Sequence, residues 1–194
     1  MAEIHSAAFP SYFLSSLGEP FLRELYLGFA SIESAVTVVA QTSDGRVVGA
    51  AVGTTEPASF FRHLLLRRLP GFAAASALAA IRRPAIAVRL VRGLAYRGQS
   101  EPGADGALLS SICVDPACQG AGVGGRLLSE WLAAASRAGA PGAHLTTDAR
   151  DNDQVLTFYA NSGFRQVHTF TTKEAREMAL LHIDLSSEPS GGHA

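Results

Sequence analysis

Apolar positions over residues 3–30 recur at helical spacing, and Pro10 and the Gly18-Glu19-Pro20 step cut them into short helices. Pro20 suits a first helical turn, where a missing N–H costs nothing. The period then changes. Val36 to Thr42 and Val47 to Thr55 are β-rich and flank Ser43-Asp44-Gly45-Arg46, whose Asp-Gly pair supplies the positive φ of a tight turn, so an antiparallel hairpin is expected. Long apolar-plus-arginine segments separated by Pro70 and Pro84 fill residues 57–103 and predict a helical insertion. Beyond the turn-forming Gln99–Gly106 come an apolar strand from Ala107 to Val114, a glycine loop, and a helix from about Gly122 to Ala138. Ala143–Asp148 reads as a strand and Gln154–Asn161 as a helix stopped by Ser162-Gly163. Phe164–Phe170 and Met178–Leu185 read as closing strands, and residues 186–194, rich in Ser and Gly, are expected to fray.

Composition narrows the class. A chain of 194 residues with 47% hydrophobic content has material for one core, so a single domain spanning 1–194 is expected. The formal net charge of −1 excludes a uniformly basic nucleic-acid binder. Two cysteines, Cys113 and Cys118, cannot make a disulfide scaffold or a four-thiol zinc site. The start Met-Ala-Glu-Ile-His-Ser lacks the basic and apolar regions of an export signal, which leads us to expect a cytoplasmic protein. The longest apolar run, Leu69 to Ile81, is broken by Pro70 and Gly71 and falls short of the roughly 20 residues of a membrane span.

Charge is unevenly placed. Arg62, Arg67, Arg68, Arg82, Arg83, Arg89, Arg92 and Arg97 are eight of the 16 Lys and Arg residues, and no acid lies between Glu56 and Glu101. The insertion therefore carries half the positive charge, which suits either a solvated helical face, a negatively charged acceptor or peripheral contact with anionic lipid.

The chemistry concentrates in Gln119-Gly120-Ala121-Gly122-Val123-Gly124-Gly125, where four glycines sit at a strand-to-helix turn. Bare N–H groups and the positive helix end converge there, and a Cβ would hold a phosphate away from them. Gly120, Gly122 and Gly125 also match the dinucleotide fingerprint, with Asp148 placed where a ribose-binding acid could sit. Against that reading, Asp115-Pro-Ala-Cys-Gln119 intervenes between strand and glycines, and too little chain follows Asp148 for a doubly wound sheet. No Gly-Lys-Ser/Thr follows, so a P-loop is excluded.

Cys113-Val114-Asp115-Pro116 followed by Gln119-x-x-Gly122-x-Gly124 resembles the acyl-CoA pyrophosphate motif of the GCN5-related N-acetyltransferases. A second motif similar to that family runs from Asn152 to Phe158-Tyr159-Ala160-Asn161-Ser162-Gly163-Phe164. The resemblance covers about Leu108 to Phe170. It implies an α/β fold with a mixed, mostly antiparallel central sheet flanked by helices, here with a helical insertion. It also implies that the sheet splays beside the strand ending at Val114 and that the acyl-CoA pantetheine arm enters the wedge. Main-chain groups of Ile112 and Val114 would pair with that arm, and Gln119, Gly120, Gly122, Gly124 and Gly125 would form the pyrophosphate cradle. Asn152 would hydrogen-bond the arm, and Tyr159 would be the general acid for the leaving thiolate. A phenol suits that task, and the reaction calls for no metal.

Each of these residues has a plainer reading. Tyr159 could pack in the core beside Phe158, Asn152 could cap the helix that follows, and Cys113 reads as a small buried hydrophobe. His5, His63, His144, His168, His182 and His193 show no ligand-like spacing, so no metal is assigned. Two departures from the family pattern stand out. The chain enters its helices with no preceding strand, so that strand is absent or lies upstream, and residues 57–103 interrupt the region that borders the family's acceptor site. The catalytic base is unassigned: Glu56 ends the hairpin, and Ser110 or Ser111 could order a water. The expected function is transfer of an acetyl group from acetyl-CoA to a primary amine of a small-molecule acceptor, with a nucleotide-linked amino sugar as the finer expectation. A protein amine is the alternative acceptor, and a non-catalytic acyl-CoA-binding or membrane-surface module is the rival from another class. The oligomeric state is left open.

Overall fold

A computed structural model describes residues 1–10, 12–82, 104–172 and 175–186. Three helices open the chain: α1 (Ala2–Ala8), α2 (Phe13–Ser16) and α3 (Glu19–Ser31), the last with Pro20 in its first turn. The hairpin pairs β1 (Ala35–Gln41) with β2 (Val47–Thr54) in antiparallel register, and Gly45 at φ +84° makes its turn. The described part of the insertion forms α4 (Pro57–Arg67) and α5 (Leu69–Arg82). The remainder of the insertion, residues 83–103, and the tail 187–194 lie outside the described residues. Then follow β3 (Ala107–Val114), one 3-10 turn (Pro116–Cys118), α6 (Val123–Arg137), β4 (Gly142–Asp148), α7 (Asp153–Asn161), β5 (Arg165–Thr171) and β6 (Glu177–Asp184).

The six strands form one sheet in the order β1-β2-β3-β4-β6-β5. Neighbours are antiparallel except β3 and β4, which run parallel. This is the mixed, mostly antiparallel α/β fold that the motifs led us to expect. Among the described residues no strand precedes α1, and the sheet begins at the hairpin.

Alternation along β2 explains the two-layer packing. Ala51 belongs to a core cluster with Leu127, Leu128 and Trp131 of α6 and Tyr159 of α7. Its neighbour Val52 points the other way, into a cluster built from α3, α4 and α5. On the first side Trp131 is fully buried, and its indole N–H donates to the Val36 carbonyl at 3.0 Å. The indole lies so close to the sheet that a Cβ on Gly53 would sit 2.4 Å from its ring, so only glycine fits there. On the second side Phe29 stacks on Phe60 at 4.8 Å and Phe21 meets Phe72 at 4.9 Å, which seats both insertion helices on α3.

Candidate functional site

Parallel pairing of β3 with β4 is confined to Ala107 with Ala143 and Leu108 with His144. Beyond those pairs the strands part, while β3 stays paired to β2 as far as Val114. The Asp115 N–H still donates to the Val48 carbonyl at 2.8 Å. Because main-chain groups alternate sides along a strand, those of Val114 and Ile112 face away from β2, toward the gap. A register irregularity lies opposite Val52 and Gly53, where Ser111 and Leu109 are the paired residues and Ser110 is extra. Bulges of this kind re-aim side chains, here on the wall of the gap.

The gap is a cleft of about 360 Å³. Ser110, Ser111 and Ile112 of β3 and Thr146, Thr147 and Asp148 of β4 form its two strand walls. His5, Phe9 and Tyr12 close it from the N-terminal segment, and Tyr159 and Arg176 close it from the other side. Tyr159 is held by edge-to-face contacts with Phe158 at 5.1 Å and Phe164 at 5.5 Å. Burial, with a smaller contribution from Tyr12, pushes its phenol well above the ordinary tyrosine value, so it is fully protonated near neutral pH.

The glycine loop follows directly. Asp115 turns the chain by accepting the Ala117 N–H at 3.0 Å, and its other oxygen pairs with Arg46 at 3.1 Å. Gly120 and Gly122 then take φ of +78° and +74°, a conformation that disfavours any side chain. α6 starts with Gly122 at its N-cap and no side-chain cap, leaving first-turn amides at the positive helix end. A Cβ added at Gly120, Gly122 or Gly125 meets nothing within 4 Å, so the three glycines border open space. Gly124 differs: its Cβ direction points inward, 3.7 Å from Phe158 and 3.8 Å from Val114.

The sequence-predicted residues divide accordingly. Ile112 and Tyr159 line one cleft, and Val114 leads from it to the loop. Gln119 is exposed at the end of the 3-10 turn, its amide nitrogen 3.4 Å from the Val114 carbonyl. Asn152 occupies the N-cap position of α7, yet its side chain makes no cap hydrogen bond. Its ψ of 24° departs from the extended geometry that aims a cap side chain at the first turn. Its amide instead donates to Thr147 Oγ1 at 2.9 Å and the Asp148 carbonyl at 2.8 Å, tying α7 to the end of β4. Asp148, which a dinucleotide site would set on a ribose, is gripped by Arg176 through contacts of 2.7, 2.7 and 3.1 Å.

Two expectations about the acceptor side change. Glu56 does not border the cleft; it lines a separate cavity with His63 and Arg67 and accepts the Ser59 hydroxyl at 3.1 Å. The described insertion helices also miss the cleft, because their apolar faces are committed to α3. Arg67 donates to the Ser31 carbonyl at 3.2 Å, and Arg68 pairs with Glu24 at 2.6 Å. The cleft is instead closed by His5, Tyr12 and Arg176, which lie in no motif and are joined to it only by folding. Among the described residues no group of three or more His, Cys, Asp or Glu could hold a metal, and no helix is long and apolar enough to cross a membrane.

Residues 80–166 match the family model of the acetyltransferase (GNAT) domain. Among solved structures, SsHAT superposes with a TM-score of 0.66 at 21% identity, over 96% of this chain and 92% of that one. A structure described as an acetyltransferase gives 0.60 at 20% identity, covering 95% and 92%. A GNAT-family acetyltransferase structure from Desulfovibrio desulfuricans gives 0.60 at 14% identity, covering 94% and 88%. No curated protein sequence matches the chain. The structural likenesses establish the fold, and over residues 80–166 the chain is similar to the GNAT acetyltransferase domain.

Proposed function

We propose that this chain is an N-acetyltransferase that moves an acetyl group from acetyl-CoA to a primary amine of a small-molecule acceptor within one ternary complex. The observation that carries the reading is the parting of β3 from β4 directly before a glycine loop with open space over three of its glycines. In this reading the pantetheine arm meets the main chain of Ile112 and Val114. The pyrophosphate lies over Gly120, Gly122 and Gly125, with Gln119 at the loop's entry and Gly124 as the packing residue that seats the loop on Phe158. Asn152 acts on the arm's surroundings by holding the end of β4. Amine attack on the thioester carbon forms the C–N bond and breaks the C–S bond, and Tyr159 protonates the thiolate as it departs.

An acceptor enters from the side walled by Phe9, Tyr12 and Arg176. The nucleotide-linked amino sugar draws no support from Arg67 and Arg68, which are engaged by Ser31 and Glu24. A small amine is the acceptor class we propose, with the cytoplasm as its setting. Thiol release from acetyl-CoA against a panel of small amines, amino sugars and peptide amines tests the reading. Release that depends on a small amine supports it, release confined to peptides moves the acceptor to protein amines, and acetyl-CoA binding without turnover of any amine leaves a binding module. Calorimetry provides the second arm: acetyl-CoA should bind and NAD should not.

A further inference from the structure

An acetyl acceptor that arrives as an ammonium must lose a proton before its nitrogen can attack, and neither β3 nor the hairpin supplies an acid to the cleft. The structure places a histidine there instead. His5 lies in α1, is 4% exposed, and borders the cleft beside Ser111. Its Nδ1 is 2.9 Å from the Tyr26 hydroxyl and 3.5 Å from Ser111 Oγ. Tyr26 Oη in turn lies 3.6 Å from Cys113 Sγ. Phe9 and Tyr26 flank the imidazole edge-on, at 5.1 and 5.9 Å between ring centroids. A chain of four polar groups thus runs from the cleft wall into the interior between α1, α3 and β3.

We propose that His5, reached through the Ser111 hydroxyl, takes the proton that the acceptor's ammonium gives up before attack. The inference rests on the acetyltransferase reading above. As an N–H bond of the ammonium breaks, its proton goes to Ser111 Oγ while the Ser111 proton moves to Nδ1, and the electron pair stays on the amine. Nδ1–H can then donate to Tyr26 Oη as the Tyr26 O–H turns to Cys113 Sγ, so the new charge acquires a hydrogen-bond acceptor in a buried setting. The imidazolium later returns its proton to water. The second nitrogen proton is lost to solvent water as the C–N bond forms and the C–S bond breaks, and Tyr159 regains from water the proton it gives to the thiolate.

The neighbouring groups leave this task to His5. Burial raises the Tyr26 phenol and the Cys113 thiol, so both stay neutral and neither competes for the proton near pH 7. The amino group of Met1 acts on Cys113 from the start of α1. Across the cleft Asp148 is held in its ion pair with Arg176, and Tyr12 and Tyr159 are phenols.

The test compares two probe amines in thiol-release assays near neutral pH: ethanolamine, which is an ammonium there, and hydroxylamine, which is already neutral. His5→Gln should lower the ethanolamine rate by on the order of 10²-fold and leave the hydroxylamine rate within about threefold, since a neutral nucleophile needs no base. Ser111→Ala should show the same split, which keeps the proposal testable if His5→Gln does not fold. Equal losses for both amines, with acetyl-CoA stabilisation intact, overturn the role of His5 and leave the acetyltransferase reading standing. Failure of the wild-type chain to bind acetyl-CoA overturns that reading instead. Where neither amine turns over, NMR titration of the His5 imidazole in the acetyl-CoA complex decides. It must be neutral at neutral pH and must shift its midpoint in Ser111→Ala; an imidazole already charged, or indifferent to Ser111, overturns the proposal.

Discussion

The two faces of the sheet are built on different principles. On one face α6, which carries Trp131, shares a core with α7 and the sheet, and the features assigned to acetyl-CoA are backbone amides and strand edges within a short stretch of chain. On the other face α1, α3, α4 and α5 bring together side chains from distant positions: His5 meets Tyr26 and Ser111, separated from it by 21 and 106 residues. A local glycine pattern sets the main-chain geometry on the first face, whereas the side-chain cluster on the second exists only because folding joins distant residues.

The largest way to break the comparison is through the packing that holds the first face. Trp131→Ala removes a fully buried indole and its hydrogen bond to Val36, and should destabilise the chain by about 3–5 kcal/mol. Urea unfolding measures this; a loss under about 1 kcal/mol would mean that the first face does not depend on that side chain.

Tyr159→Phe keeps the ring between Phe158 and Phe164 and removes only the hydroxyl, so folding and acetyl-CoA affinity should persist. With chemistry rate-limiting, kcat should fall by on the order of 10²-fold, the usual worth of a positioned acid. An unchanged kcat would remove the phenol from the mechanism and leave it as packing.

Gly125→Val separates backbone recognition from folding, because its Cβ enters open space without a native clash and without a positive φ. Acetyl-CoA should bind about tenfold more weakly, a change of about 1.4 kcal/mol, while the melting temperature without ligand moves little. The inward-facing Gly124 is the poorer probe, since a branched side chain there also presses on Phe158. Equal affinity in Gly125→Val would take the loop out of the pyrophosphate site.

Arg68→Ala sharpens the other side of the comparison. It breaks a partly buried ion pair with Glu24, for which about 0.5–1 kcal/mol of stability is the expected scale, and it should leave the KM values for both substrates unchanged. A raised acceptor KM would show that the insertion reaches the acceptor after all.

The smallest effect is electrostatic. Burial holds the His144 imidazole below its ordinary pKa of 6.5, although its hydrogen bond to the Asp105 carbonyl opposes the shift. The unfolded chain therefore binds that proton more readily than the folded one. The contribution of His144 is fully present above pH 6.5 and is lost as pH falls through the folded value, so the melting temperature should decline on mild acidification. His144→Gln should flatten part of that decline, and an unaltered slope would assign it to other groups.

The sequence by itself determined the elements and the glycine loop. Asp44-Gly45 made the hairpin turn, Pro20 the start of α3, and the alternation of β2 its two buried faces, because each depends on φ preferences or on side-chain period over a few residues. It also carried both family motifs, which lie within one local stretch. Tertiary structure decided the rest. The depth of the gap between β3 and β4, the commitment of α4 and α5 to α3, the capture of Asp148 by Arg176 and the meeting of His5 with Ser111 and Tyr26 all join residues far apart in the chain. No local periodicity encodes such encounters. They are selected only when burial of the two cores sets the helices against the sheet, and polar groups caught between them must find partners or face a cleft.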